Sequence, residues 1–258
     1  MFRRVRLTRD NHDQDTSVDE RVLSEVLGVL SESPPTIGVV GVSGTGKSST
    51  INAMFKANLE IGHAVACTKE FRDVNLSVNL VETSPLLRGV AGKSTALRMI
   101  DAPGLGEDLA RDRQYLSMYR KNLGRCDIVL WVMTARNRAV SLDQRYLKHL
   151  REFGDRIVFG VNQVDLLEPM DWQRINLPSK AQESYINEIV EDRSARLGKS
   201  LGRSVRVVPY SAKSRWGLQG LYEELVTSAP KDRQWIFDLI KNFKYYDFLP
   251  PDIQEIFE

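Results

Sequence analysis

The sequence predicts a three-layer α/β fold: a mostly parallel sheet with one antiparallel edge strand, covered by helices and flanked by further helices at both termini. Three observations predict it. The apolar run Thr36–Val40 leads into Gly41-Val42-Ser43-Gly44-Thr45-Gly46-Lys47-Ser48, and the stretch Ser49–Phe55 after it opens a helix, which is the strand–loop–helix setting of a phosphate-binding loop. Short apolar runs at Ile128–Val132, Ile157–Val161 and Val205–Val208 alternate with helical patterns, as crossovers between parallel strands require. The alternating stretch Phe71–Val81 and the run Leu97–Ile100 are joined by a glycine-bearing turn with no helix between them, which makes a hairpin and hence an antiparallel edge.

Taken in order, residues 1–16 are polar and are expected to be loose. Ser17-Val18-Asp19-Glu20 has the capping-box pattern, and Val18, Val22, Leu23, Val26, Leu27 and Leu30 follow at helical spacing, ended by Ser33-Pro34-Pro35. This helix precedes the first strand, so residues 1–35 read as an N-terminal extension. Arg88-Gly89-Val90-Ala91-Gly92-Lys93-Ser94-Thr95 imitates a second phosphate loop, but Leu87 stands where the first glycine is needed, and the segment reads as the hairpin turn. Helices are expected over Leu142–Phe153, Ser179–Leu197 and Leu218–Val226. After a break at Pro230, Trp235, Ile236, Leu239, Ile240 and Phe243 recur at helical spacing, so residues 229–258 form a C-terminal helical extension to a nucleotide domain spanning 36–228.

Composition excludes more than it identifies. The 258 residues are 42% hydrophobic and 27% charged, with a formal net charge of +2, so nothing marks a nucleic-acid partner. Gly217-Leu218-Gln219-Gly220 resembles the GXXG loop of KH domains, but it sits at a helix start with too little chain after it for such a domain. Cys67 and Cys126 have neither metal spacing nor a disulfide framework, and His12, His63 and His149 are scattered. No apolar stretch approaches the ~18 residues of a membrane span, and the expected location is cytoplasmic.

The chemistry lies at the ends of the predicted strands. Loop glycines let successive N–H groups face an anion, and the helix start adds unpaired donors and the positive end of its dipole. Gly41, Ser43, Gly44, Thr45, Gly46, Lys47, Ser48 and Ser49 are the candidate phosphate contacts, with Lys47 reaching the β- and γ-phosphates and the Ser48 hydroxyl a Mg²⁺ ligand. Asp101-Ala102-Pro103-Gly104 follows a strand, so Asp101 can hold Mg²⁺ through water while the Gly104 N–H approaches the γ-phosphate. Asn162-Gln163-Val164-Asp165 also ends a strand; a carboxylate there accepts from guanine N1–H and N2–H₂, donors that adenine lacks. Ser211-Ala212-Lys213 ends the last strand, where a backbone N–H can reach guanine O6.

The set Gly41–Ser48, Thr68, Asp101–Gly104, Asn162–Asp165 and Ser211–Lys213 resembles the five G motifs of the translation-factor-related GTPases. It is most similar to the Era-like branch of the YfjP type, whose run around the switch threonine is matched by Ala66-Cys67-Thr68-Lys69. The resemblance covers residues 36–228 and implies GTP binding, Mg²⁺-dependent hydrolysis to GDP, and two switch segments. It implies Lys47, Thr68 and Gly104 as catalytic contacts and Ser48, Thr68 and Asp101 around the metal. Three positions depart from the usual pattern. Gln163 replaces the lysine whose stem lies over the base. Leu105 follows Gly104 where Ras-like enzymes place a water-orienting glutamine, which implies slow intrinsic turnover unless a partner completes the site. Gly44 replaces the asparagine of potassium-activated relatives. The flanking helices carry a weaker resemblance to immunity-related, dynamin-like GTPases. The expected partners are therefore a guanine nucleotide and an unidentified effector, with a homodimer or larger self-assembly, or peripheral membrane contact, as the alternative.

Overall fold

Described in the computed structural model are residues 12–55, 71–80, 89–105, 112–136, 140–170, 172 and 177–240. Helix α1, His12–Glu32, starts earlier than the capping pattern indicates. Ser17 is thus an internal helical position, and residues 12–16 are helical rather than loose. Strand β1, Thr36–Val40, is buried throughout, and α2 runs Lys47–Phe55. Strands β2, Arg72–Asn79, and β3, Ser94–Asp101, form the expected antiparallel hairpin, in register from Arg72 opposite Asp101 to Asn79 opposite Ser94.

Helix α3, Asp112–Leu123, was not evident in the sequence pattern. Strand β4 spans Ile128–Thr134 and α4 spans Ser141–His149. The helix expected over Leu142–Phe153 stops short, because Arg151–Arg156 winds as a 3₁₀ turn. Strand β5, Ile157–Asn162, precedes α5, Lys180–Leu201, which Ser179 caps: Gln182 N–H donates to Ser179 Oγ at 3.2 Å and Ser179 N–H to Gln182 Oε1 at 3.2 Å. The chain continues through β6, Val207–Pro209, α6, Leu218–Ser228, and α7, Gln234–Leu239. The expected helical position Phe243 lies outside the described residues.

The sheet order is β2-β3-β1-β4-β5-β6, parallel except for β2 against β3. Side-chain alternation in β4 feeds two cores. Ile128, Leu130 and Val132 join α2, α6, α7 and Leu30 of α1 on one face, while Val129, Trp131 and Met133 meet α3, α4 and α5 on the other. Both flanking helices thus share the core of the sheet: α1 contributes Leu30 with Leu23, Val26 and Leu27 packed beside it, and α7 contributes Ile236, Phe237 and Leu239. A clamp fastens them. Arg233 donates to both oxygens of Asp127, from Nε at 3.1 Å and Nη2 at 3.2 Å, and to the Ser33 carbonyl at 2.9 Å. Asp127 Oδ2 also accepts from the Thr36 N–H at 2.8 Å. Among the described residues no helix is long and apolar enough to cross a membrane.

Candidate functional site

Because five strands run parallel, the loops after β1, β3, β4, β5 and β6 meet at one edge of the sheet. Chain order turns to opposite sides of β1 there, the place where open α/β sheets form a crevice. The loop after β1 is held in shape by its own groups. Thr45 Oγ1 donates to the Val42 carbonyl at 2.9 Å, and buried Lys47 directs Nζ at the carbonyls of Gly41, 3.2 Å, and Val42, 3.4 Å. Gly46 has no substitute. Its φ is +87°, and a Cβ there would lie 2.4 Å from Asn162 Nδ2. Ser43 and Gly44 form the exposed loop tip, while Ser49 sits half-buried in the first turn of α2.

Ser48 and Asp101 come together as expected: the hydroxyl donates to Asp101 Oδ2 at 3.4 Å, and Asp101 is buried. A hydroxyl beside a carboxylate is a hard-oxygen pair of the kind that Mg²⁺ takes. The segment after β3 is tied to the loop, since Leu105 N–H donates to the Gly41 carbonyl at 3.1 Å. This places Gly104 next to the phosphate loop and turns Leu105, 2% exposed, into the core with Ile100 and Tyr119. Tyr119 OH in turn donates to the Pro103 carbonyl. Thr68 lies outside the described residues.

Asn162 joins three loops. Its Nδ2 donates to the Thr45 carbonyl at 2.9 Å, its Oδ1 accepts from Ala212 N–H at 2.9 Å, and its backbone carbonyl accepts from Ala135 N–H at 2.9 Å. Gln163, at φ +66°, bridges two more: Oε1 accepts from Thr134 Oγ1 at 2.6 Å, and Nε2 donates to the Gly44 carbonyl at 3.2 Å. The amide thus reaches the phosphate loop directly, a contact that its place over the base did not predict. Asp165 Oδ1 is buried with no hydrogen-bond partner among the described residues. A buried carboxylate oxygen in that condition calls for a donor, and a guanine edge supplies two. Ser211 is buried, its Oγ accepting from Ser214 N–H at 3.0 Å, with Ala212 beside it and Lys213 exposed.

Sequence reasoning missed the second layer under these loops. Thr134 orients Gln163, and a pair of buried hydroxyls, Thr50 and Tyr210, meets at 2.8 Å below the phosphate loop. Beneath Ser43 and Thr45 a small cavity of about 40 Å³ is lined also by Asp143 and Arg193. Burial pushes the Asp143 carboxyl above its usual range, opposed by the Trp131 Nε1–H bond at 2.8 Å and by the Arg193 charge. None of these belongs to a contiguous motif; the available signal was a polar residue in an otherwise apolar strand or helix face.

Residues 36–163 match the model of the family described as 50S ribosome-binding GTPases. YkfA of Escherichia coli K12, an uncharacterized protein, is 29% identical over 219 residues, 83% of this chain and 69% of that protein. YfjP of the same organism, also uncharacterized, is 27% identical over the same shares. Among solved structures, Era from Aquifex aeolicus, with GDP·AlF4⁻ bound, has a TM-score of 0.53 at 16% identity, over 76% of this chain and 57% of that one.

Proposed function

We propose, from the match of residues 36–163 to a family of GTPases, that this chain hydrolyses GTP and is a slow regulatory switch set by guanine nucleotide. The observation that carries the proposal is Leu105. Its side chain is in the core, so the position after Gly104 presents no group to orient the attacking water. A triphosphate state that outlasts its own chemistry suits a switch whose hydrolysis another molecule completes.

The proposed roles combine the motif pattern with the geometry around it. Asp165 takes guanine N1–H and N2–H₂ on its carboxylate, whose Oδ1 is buried without a hydrogen-bond partner among the described residues, with Ala212 and Lys213 nearby and Asn162 holding the carboxylate's loop against Thr45. The N–H groups from Ser43 to Ser49 cradle the β-phosphate, and Lys47, now on the loop carbonyls, turns to the β- and γ-phosphates. Ser48 and Asp101 would hold Mg²⁺, with Thr68 joining them in the triphosphate state. When bound, the metal neutralises charge on the β- and γ-oxygens. Gly104 N–H meets the γ-phosphate, and Gln163 fixes the loop tip through Gly44.

Single-turnover hydrolysis at several protein concentrations, with calorimetry of GTP and ATP, tests the reading. A slow rate independent of concentration and binding of GTP alone are expected. ATP bound as tightly as GTP would overturn the guanine assignment. A specific rate that climbs with concentration would replace the switch by a self-assembling enzyme. Among the described residues, Leu23, Val26, Leu27 and Leu30 of α1 and Ile236, Phe237 and Leu239 of α7 pack into the core of the sheet, which lends that alternative no support.

A further inference from the structure

Thr50 and Tyr210 lie in neither the phosphate nor the guanine motif, yet they stand between the two. Thr50 is three residues beyond Lys47 on α2, and Tyr210 immediately precedes Ser211. Both are fully buried. Thr50 Oγ1 donates to the Gly46 carbonyl at 2.7 Å, which commits its one proton. The Tyr210 hydroxyl, 2.8 Å from Thr50 Oγ1, is therefore the donor of that pair. Burial pushes the phenol above its ordinary range, so it remains a donor at any working pH.

The ring is held in place by small neighbours. A Cβ at Gly160 would lie 2.7 Å from Tyr210 Cε1, and one at Gly217 would lie 3.1 Å from Tyr210 Cα. The backbone of Tyr210 is bound to the guanine loop, donating to the Val161 carbonyl at 2.8 Å and accepting from Val164 N–H at 3.5 Å. At the far end of the chain of hydroxyls, the Gly46 carbonyl also accepts from Thr50 N–H at 2.8 Å. In a trans peptide the carbonyl and the following N–H point in opposite directions. Two donors drawing the Gly46 carbonyl down toward α2 thus turn the Lys47 N–H up, to the side where a β-phosphate would lie.

We propose that Tyr210, acting through Thr50, is a positioning residue that couples the guanine loop to the phosphate loop by fixing the Gly46–Lys47 peptide. The inference rests on the nucleotide reading above. It assigns the coupling to the β-phosphate subsite, so removing the hydroxyls weakens nucleoside diphosphates and leaves the monophosphate alone.

The test is competition of GDP and GMP against a fluorescent GDP on the full chain, for the parent, Tyr210→Phe, Thr50→Val, the double variant and Thr50→Ser, with thermal denaturation of each. Each single loss of a hydroxyl is expected to weaken GDP about three- to tenfold. GMP should change by less than about twofold, the double variant should lose no more than either single one, and Thr50→Ser should match the parent. Equal losses for GMP and GDP that follow the melting temperature would reduce the pair to ordinary packing and overturn the proposal, as would full additivity or an unchanged GDP affinity. If Tyr210→Phe does not fold, Thr50→Val against Thr50→Ser decides by the same ratio. A parent protein that binds neither nucleotide sinks the nucleotide reading itself, an outcome separate from failure of the coupling.

Discussion

Asp165→Asn is expected to weaken GTP and to favour xanthosine triphosphate, whose C2 oxygen needs a donor. The loss for GTP should be at least that of leaving one buried polar group unsatisfied, about 1–3 kcal/mol, read by calorimetry with both nucleotides. Leu105→Ala separates two roles. Removing a buried leucine should cost about 2–5 kcal/mol in urea unfolding. The basal hydrolysis rate should change by less than about tenfold, or 1.4 kcal/mol in the barrier, because the side chain faces the core. Cys126 supplies a pH signature. Burial, with Asp127 next in effect, pushes its thiol from 9.0 up to about 12. The folded state therefore keeps a proton that the unfolded chain releases, so this group's contribution is complete below pH 9.0 and is lost as pH rises toward about 12. Mass spectrometry after iodoacetamide at pH 8.5 should find Cys126 unmodified in the folded protein and modified in urea. At this scale the sequence was readable where the chemistry is contiguous: Gly41–Ser48 names its own job in eight neighbouring positions. Leu105 was readable only as a missing hydrogen-bond donor, since its turn into the core depends on Ile100 and Tyr119 rather than on its neighbours in sequence. Tyr210 and Thr50 were invisible for the same reason, lying 160 residues apart.

Arg233 is the test of how the terminal helices are attached. It is 15% exposed in its pair with Asp127 and reaches Ser33 as well, so Arg233→Ala removes the fastening of α7, the end of α1 and the start of β4 together. A loss of about 2–3 kcal/mol in urea unfolding is expected, the scale of hydrogen bonds to a charged group that is largely shielded from water. GDP affinity should stay within about twofold, because the clamp meets Thr36 at the start of β1 and the phosphate loop leaves from its other end. The start of α5 was legible, within a residue of its Ser179 cap, but its end was not: the helix expected to stop at Leu197 runs on to Leu201, where Gly202 at φ +71° ends it. The start of α1 was not, because Ser17-Val18-Asp19-Glu20 satisfies the capping pattern while the chain is already helical from His12. Nor was the end of α4, where the apolar spacing of Leu150 and Phe153 continues although the winding tightens to 3₁₀.

For the whole molecule, nucleotide and fold are thermodynamically linked. GDP at a hundred times its dissociation constant should add about 2.7 kcal/mol of stability and raise the melting temperature, whereas ATP at the same concentration should leave it unchanged. The parallel sheet and its hairpin edge were readable from the alternation of strand and helix patterns. The strand order was not, because which strands flank β1 depends on pairings between segments far apart, such as Thr36 with Arg98 and Ile37 with Ile128. That same order sets a schedule for a chain leaving the ribosome. β1 emerges before both of its neighbours, and the carboxamide that fastens Thr45 comes later still, at Asn162. The nascent β1 would therefore wait unpaired until β3 and β4 have been made, and the loop after it would wait longer, for Asn162 and then Ala212. A phosphate loop made first becomes able to hold its ligand only after segments more than a hundred residues further on have followed it, and Arg233 latches these elements some twenty residues after Ala212.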